Sequence, residues 1–225
     1  MTRLIIVRHA EAEGNLKRTF QGHSDADVSE KGQKQLDLLA VRCRNMQCSA
    51  IYTSPLCRAK KTAEAIHQFH RVPLYIDEGL LEINGGVWEG KPWKELPLLY
   101  PEDAHNWNLA PWDFAPENGE KMTDVYDRIY KAILSIAKQH SGETVFVVSH
   151  GCAIRNLLCR LRYDDIHQLN EIDWCDNTAI CIVEFDGSWT PRLIMENDAS
   201  HLSEETSSLA NQVWWKRESR EKGIF

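Results

Sequence analysis

Thr144-Val145-Phe146-Val147-Val148 runs without a break into Ser149-His150-Gly151, and beyond the glycine Leu157, Leu158 and Leu161 recur at helical spacing. A β-branched run with no polar alternation reads as a strand buried on both faces. The change from that run to a helical period at a glycine is the strand–turn–helix step of an α/β fold. Leu4-Ile5-Ile6-Val7 and Ala50-Ile51-Tyr52-Thr53 have the same character. Ile180-Cys181-Ile182-Val183 and Arg192-Leu193-Ile194-Met195, divided by Asp186-Gly187-Ser188, read as a hairpin.

Helical patterns fill the gaps. Ser29 is a good N-cap for a helix with Leu36, Leu39, Ala40 and Cys43 on one face. Ser54-Pro55 reads as a cap with proline at the first helical position, followed by Ala59, Thr62, Ala63 and Ile66. Val125, Ile129, Ala132, Ile133 and Ile136 mark a long amphipathic helix that ends before Ser141-Gly142. The expectation is a three-layer α/β/α sandwich around a mostly parallel central sheet. Residues 83–121 carry no period and hold Trp88, Trp93, Trp107 and Trp112, four of the eight tryptophans. They read as an inserted lid within a single domain spanning 1–225. The tail from Ser203 is rich in Ser and Glu and turns apolar only at Val213-Trp214-Trp215, with fraying expected at its end.

The 26 Lys and Arg against 33 Asp and Glu give a net charge of −7, which argues against a nucleic-acid or anionic-membrane binder. The charge is uneven, with 11 basic and 6 acidic residues in 1–61. Leu4–Val7 is too short for a signal peptide or a spanning helix. The seven cysteines include no Cys-x-x-Cys pair, so a disulfide framework or zinc ribbon is not expected and the default setting is a reducing cytoplasm. His67 and His70 lack metal-ligand spacing, and no Gly-x-Ser-x-Gly elbow, P-loop or dinucleotide fingerprint occurs.

In an open α/β sheet, ligands bind beyond the carboxyl ends of the strands. Reading those ends gives Arg8-His9 after the first strand, Arg58 in the first turn of the helix after the second, and His150-Gly151 after the strand at 144–148. A lone histidine there is more often structural. Four groups of like sign on one edge would repel unless an anion joined them, and a phosphate dianion suits two guanidiniums and a helix N-terminus.

These residues sit in longer stretches: Arg8-His9-Ala10-Glu11-Ala12-Glu13-Gly14-Asn15, Gln21-Gly22, Ser29-Glu30-Lys31-Gly32 and Thr53-Ser54-Pro55-Leu56-Cys57-Arg58-Ala59. Leu81-Glu82-Ile83, Gly86-Val87-Trp88-Glu89-Gly90, Ser149-His150-Gly151, Asn177-Thr178 and the stretch from Asn197 to His201 follow in order. From Leu4 to His201 the chain resembles the histidine phosphatase superfamily, which includes cofactor-dependent phosphoglycerate mutases and many phosphatases. The resemblance implies a phosphohistidine on His9, with Arg8, Arg58 and His150 holding the phosphoryl oxygens. Asn15, Gln21, Gly22 and the N–H of Gly151 would support the phosphate. Glu82 would protonate the leaving oxygen and then activate water; nothing but the resemblance selects it.

Departures are visible. Ala10 stands where the family commonly has glycine, which would strain a left-handed backbone by about 1 kcal/mol if one is needed. Ala12 and Gly14 replace the commoner threonine and tryptophan, implying thinner contacts to phosphate, and Lys121 replaces a helix-capping serine. Glu82 is followed by Ile83-Asn84-Gly85, and 83–121 contain Lys91, Lys94 and Lys121 but no arginine. That favours hydrolysis of a small phosphorylated metabolite, without metal or cofactor, over mutase-type transfer. A non-catalytic relative would be expected to lose His9, Glu82 or an arginine, and all are present. Oligomeric state is left open, a homodimer included.

Overall fold

The computed structural model describes residues 1–210 and Gln212. β1 (Thr2–Arg8) leads through the short α1 (Glu13–Lys17) into α2 (Glu30–Cys43), and β2 (Ala50–Thr53) into α3 (Cys57–His67). β3 (Leu74–Ile76) precedes the segment 83–121, which holds α4 (Leu96–Leu99), α5 (Pro101–Leu109) and several single turns of tighter helix. The chain then forms α6 (Met122–Gln139), β4 (Thr144–Ser149), α7 (Gly151–Tyr163), β5 (Ile180–Phe185) and β6 (Pro191–Asp198).

The sheet order is β3-β2-β4-β1-β5-β6. β3, β2, β4 and β1 pair in parallel, while β5 joins β1, and β6 joins β5, antiparallel. The sheet is thus mixed, and the hairpin at 180–198 supplies the antiparallel edge.

Side chains along β1 alternate between two apolar clusters. Ile5 and Val7 pack with Leu39 and Cys43 of α2 and Ala59, Ala63 and Ile66 of α3. Leu4 and Ile6 pack with Val125, Ile129 and Ile133 of α6 and Leu157 of α7. Period-two alternation between two helix-covered faces is what makes the three layers. Leu161, expected in this core, is only half-buried.

One local expectation is corrected, and one strand is added. α3 begins at Cys57 with Leu56 at its N-cap, so Ser54-Pro55 does not start it. Ser54 hydrogen-bonds the His150 ring instead, at 2.7 Å. β3 is not apparent in the sequence because it is three residues long and leaves Tyr75 and Ile76 exposed. Ser29 does cap α2: its hydroxyl accepts the Gly32 N–H at 3.0 Å and donates to Glu11 at 2.8 Å. Lys121 occupies the N-cap of α6 without a side-chain bond.

Residues 203–210 turn back onto the body. Ser208 donates to the buried Glu11 carboxylate at 2.9 Å, and its N–H reaches Asp176 at 3.0 Å. The apolar run Val213-Trp214-Trp215 lies outside the described residues. No helix among the described residues is long and apolar enough to cross a membrane.

Candidate active site

The parallel pairing of β1 with β4 sets Arg8 opposite Ser149. One residue further on, His9 and His150 leave the sheet side by side, their ring centroids 5.1 Å apart. The His9 N–H donates to Ser149 O at 2.9 Å, which extends the ladder by one bond. Asn177 Nδ2 donates to His9 O at 2.8 Å, and the Thr178 N–H donates to Arg8 O at 3.0 Å. Thr178 makes that bond from a left-handed backbone (φ 59°), a costly conformation for a β-branched residue and a mark of a site fixed by its surroundings.

His9 Nδ1 lies 2.7 Å from Ala10 O. A carbonyl only accepts, so Nδ1 carries the proton and Nε2 keeps its lone pair. Burial, then the positive charges of Arg58 and Arg8, push the ring well below the usual histidine value and hold it neutral. His150 is driven the same way by burial and then by Arg58, His9 and Arg8. Its Nε2 meets the Ser54 hydroxyl, and its buried Nδ1 has no partner among the described residues.

Arg58 is fully buried and gives two N–H groups to Gly22 O and Ser24 O, each at 2.8 Å. Arg8 gives one to Cys175 O. The Nε of each guanidinium is buried without a partner among the described residues. Burial lowers both arginine values, with Asp176 the strongest opposing charge at Arg8 and Glu82 at Arg58.

Glu82 closes the other side. Its carboxylate accepts the N–H groups of Cys152 and Ala153, each at 2.9 Å, and that of Ile83 at 3.0 Å. It therefore occupies the anion-binding first turn of α7. Burial raises its proton affinity more than those bonds and Arg58 lower it, so the net shift is upward.

Above this floor is a pocket of about 100 Å³. Arg8, His9, Glu82, Gly151, Asn15 and Gln21 line its reactive end. Asn15 Oδ1 accepts the Ala12 N–H at 3.0 Å. A Cβ on Gly151 would stand 3.2 Å from the Arg8 guanidinium, so the glycine lets that group lie across the start of α7. Phe20, Ile83, Trp93, Trp107, Trp174 and Leu209 form apolar walls, and Arg18, Thr19, Asn108 and Gln212 lie towards solvent. Arg58 and His150 are fully buried and add nothing to the pocket surface.

Gly22, expected among the phosphate contacts, does not line the pocket. Its carbonyl holds Arg58, its N–H donates to Glu89, and a Cβ there would stand 2.1 Å from Ile83 O. Glu89 was not singled out in the sequence. Its carboxylate gathers the N–H groups of Gly22, His23, Ser24 and Gly85 and so fixes the loop that holds Arg58. Burial pushes Glu89 up, but the Ser24 hydroxyl and the backbone bonds outweigh it and keep it ionised. Gly14 leaves its space to the Gln21 side chain, whose Cδ would stand 2.2 Å from a Cβ, so the absent tryptophan does not thin that wall.

A family model for the histidine phosphatase superfamily (branch 1) matches residues 4–198. Phosphoserine phosphatase 1 of Hydrogenobacter thermophilus is 34% identical over 186 residues, covering 83% of this chain and 88% of that protein. Among solved structures, Bacillus stearothermophilus YhfR superposes with a TM-score of 0.86 at 35% identity, over 90% of this chain and 100% of that one. A mutant phosphoserine phosphatase from Entamoeba histolytica, solved with phosphoserine, gives a TM-score of 0.78 at 29% identity, with the same coverage of each chain.

Proposed function

This chain belongs to the histidine phosphatase superfamily and is a phosphatase, and we propose that it hydrolyses small phosphomonoesters through a phosphohistidine on His9, without a metal ion. The observation that carries this reading is the His9 ring: neutral, pinned through Nδ1–H to Ala10 O, and beside two buried arginines with unpartnered Nε groups. Buried cations of this kind gain most from an anion that uses their remaining donors.

In the first step the Nε2 lone pair attacks phosphorus in line and the ester P–O bond breaks. Glu82, protonated, gives its proton to the leaving alkoxide. The ring keeps its Nδ1 proton, so the phosphorylated imidazole is cationic and remains a good leaving group. In the second step the Glu82 carboxylate takes a proton from water, whose oxygen attacks phosphorus as the N–P bond breaks. Phosphate leaves and both side chains regain their starting forms. Arg8 lines the pocket and supplies positive charge to the equatorial oxygens. Arg58 adds its field from beneath, and the neutral His150 offers as a donor its Nδ1, which has no partner among the described residues. Such electrostatics are the main lever in phosphoryl transfer. Glu82 suits both steps because burial favours its acid form while the N–H groups of α7 favour its carboxylate.

Hydrolysis is favoured over mutase-type transfer because Lys91, Lys94 and Lys121 do not line the pocket, so 83–121 offer it no cation. A pocket of about 100 Å³ fits a small phosphorylated metabolite. All seven cysteines are free, in keeping with the reducing cytoplasm proposed as its setting. The test is a rapid quench with a ³²P-labelled monoester, which should trap an acid-labile, base-stable phosphoryl group on His9. His9→Ala should lose the label and at least about a thousandfold in kcat. Turnover that survives His9→Ala, or that a chelator abolishes and added metal restores, overturns the mechanism.

A further inference from the structure

One charge on the pocket has no part in the reaction above. Arg8, His9 and Glu82 meet the phosphate and the leaving oxygen, but Arg18 stands at the outer rim with its side chain exposed. That side chain has no hydrogen bond or ion pair among the described residues. The backbone beneath it is fixed. The Arg18 N–H donates to Asn15 O at 3.3 Å, its carbonyl accepts the Trp93 N–H at 3.0 Å, and Thr19 bridges to Pro92.

Arg18 also ends α1 in the left-handed conformation, at φ 54° and ψ 48°. Glycine takes that position without strain, whereas a side chain there is disfavoured. A strained arginine whose guanidinium has no partner among the described residues, at a rim it shares with Thr19, Asn108 and Gln212, has the form of a recognition residue. A guanidinium binds a carboxylate by two parallel hydrogen bonds, and Arg18 lines the same pocket as His9 and Glu82.

We propose that Arg18 binds a carboxylate carried by the leaving group, so that the preferred substrates are short phosphorylated hydroxy- or amino-carboxylic acids. This rests on the phosphatase reading, with phosphorus at His9. Sugar phosphates and nucleoside-like phosphates lack the group that Arg18 reads.

Matched substrate pairs test the assignment: O-phosphoserine against O-phosphoethanolamine, and 3-phosphoglycerate against glycerol 3-phosphate. Each pair differs chiefly at the carboxylate. In the wild type, kcat/KM should favour the carboxylate member by about tenfold or more, mostly through KM, and the preference should shrink with added salt. Arg18→Ala should bring both ratios close to one, and Arg18→Lys should keep part of the preference. Arg18→Gly should lose the preference while raising Tm, which a merely structural arginine would not do. Ratios unchanged in Arg18→Ala, or near one in the wild type, overturn the role of Arg18 while p-nitrophenyl phosphate is still hydrolysed. A wild type that hydrolyses neither the pairs nor p-nitrophenyl phosphate overturns the phosphatase reading itself.

Discussion

The His9 and His150 rings lie 5.1 Å apart and tilted by 53°, with Arg8 and Arg58 beside them and burial around them. Burial and the two arginines disfavour charge on either ring, so both are neutral in the fold. Unfolding restores their ordinary value of about 6.5. The consequence has a definite sign. Above that value neither state binds the protons and stability is full; as pH falls below it, only the unfolded chain takes them up. Each ring therefore withdraws up to about 1.4 kcal/mol between pH 7.5 and 5.5. Glu82, raised in the fold, works in the opposite sense by retaining a proton that the unfolded chain has released. Urea midpoints across that range should fall for the wild type, and by about one ring less for His150→Gln. An identical pH slope in the two proteins would mean that His150 is charged in the fold.

Replacing Glu82 by glutamine removes the transferable proton and sets an amide N–H₂ against the N–H groups of Cys152 or Ala153. kcat for alkyl monoesters should fall by about a hundred- to ten-thousandfold. p-Nitrophenyl phosphate, whose leaving group needs no proton, should lose far less in a pre-steady-state burst. Equal losses on both substrates would deny Glu82 the acid role.

Trp88 is fully buried and meets Phe20 and Phe114 edge-on, with centroids 5.5 and 4.9 Å away. It holds residues 83–121 against the body instead of touching substrate. Trp88→Ala should cost about 3–5 kcal/mol, much of what a domain has. Chemical denaturation reads this directly. Trp93→Ala, which removes a pocket wall, should raise KM instead.

Ala10 stands where the family resemblance implies glycine, yet its backbone is not left-handed, and its N–H reaches Thr62 Oγ1 at 3.0 Å. No strain awaits relief there. Ala10→Gly should lower stability by about 1 kcal/mol, through a freer unfolded chain and a lost methyl contact. A rise in Tm would reveal strain that the backbone angles do not record.

The strands were legible where β-branched residues ran together, because burial on two faces leaves no other pattern. Arg8, His9 and His150 followed from reading the ends of those strands. Residues 83–121 resisted because short helices and single turns there take their places from the aromatic contacts of Phe20, Trp88 and Trp107, which no local period encodes. Glu82 owes its role to N–H groups some 70 residues away in sequence. Gly22 was legible as important but not as what it is, a carbonyl under Arg58. Arg18 was hidden because its position depends on the left-handed turn that ends α1.

The one-residue step from the Arg8–Ser149 pairing sets His9 and His150 at the ends of the two central strands, while Glu82 sits on a connecting segment and Arg18 at the end of a five-residue helix. Floor and rim therefore belong to different stability classes. The two histidines can be displaced only by opening the sheet, whereas residues outside it can move without that. The rim can change with a single residue at no risk to the chemistry below. A lineage that keeps such a floor can acquire new substrates by small surface steps, each tolerated by the fold.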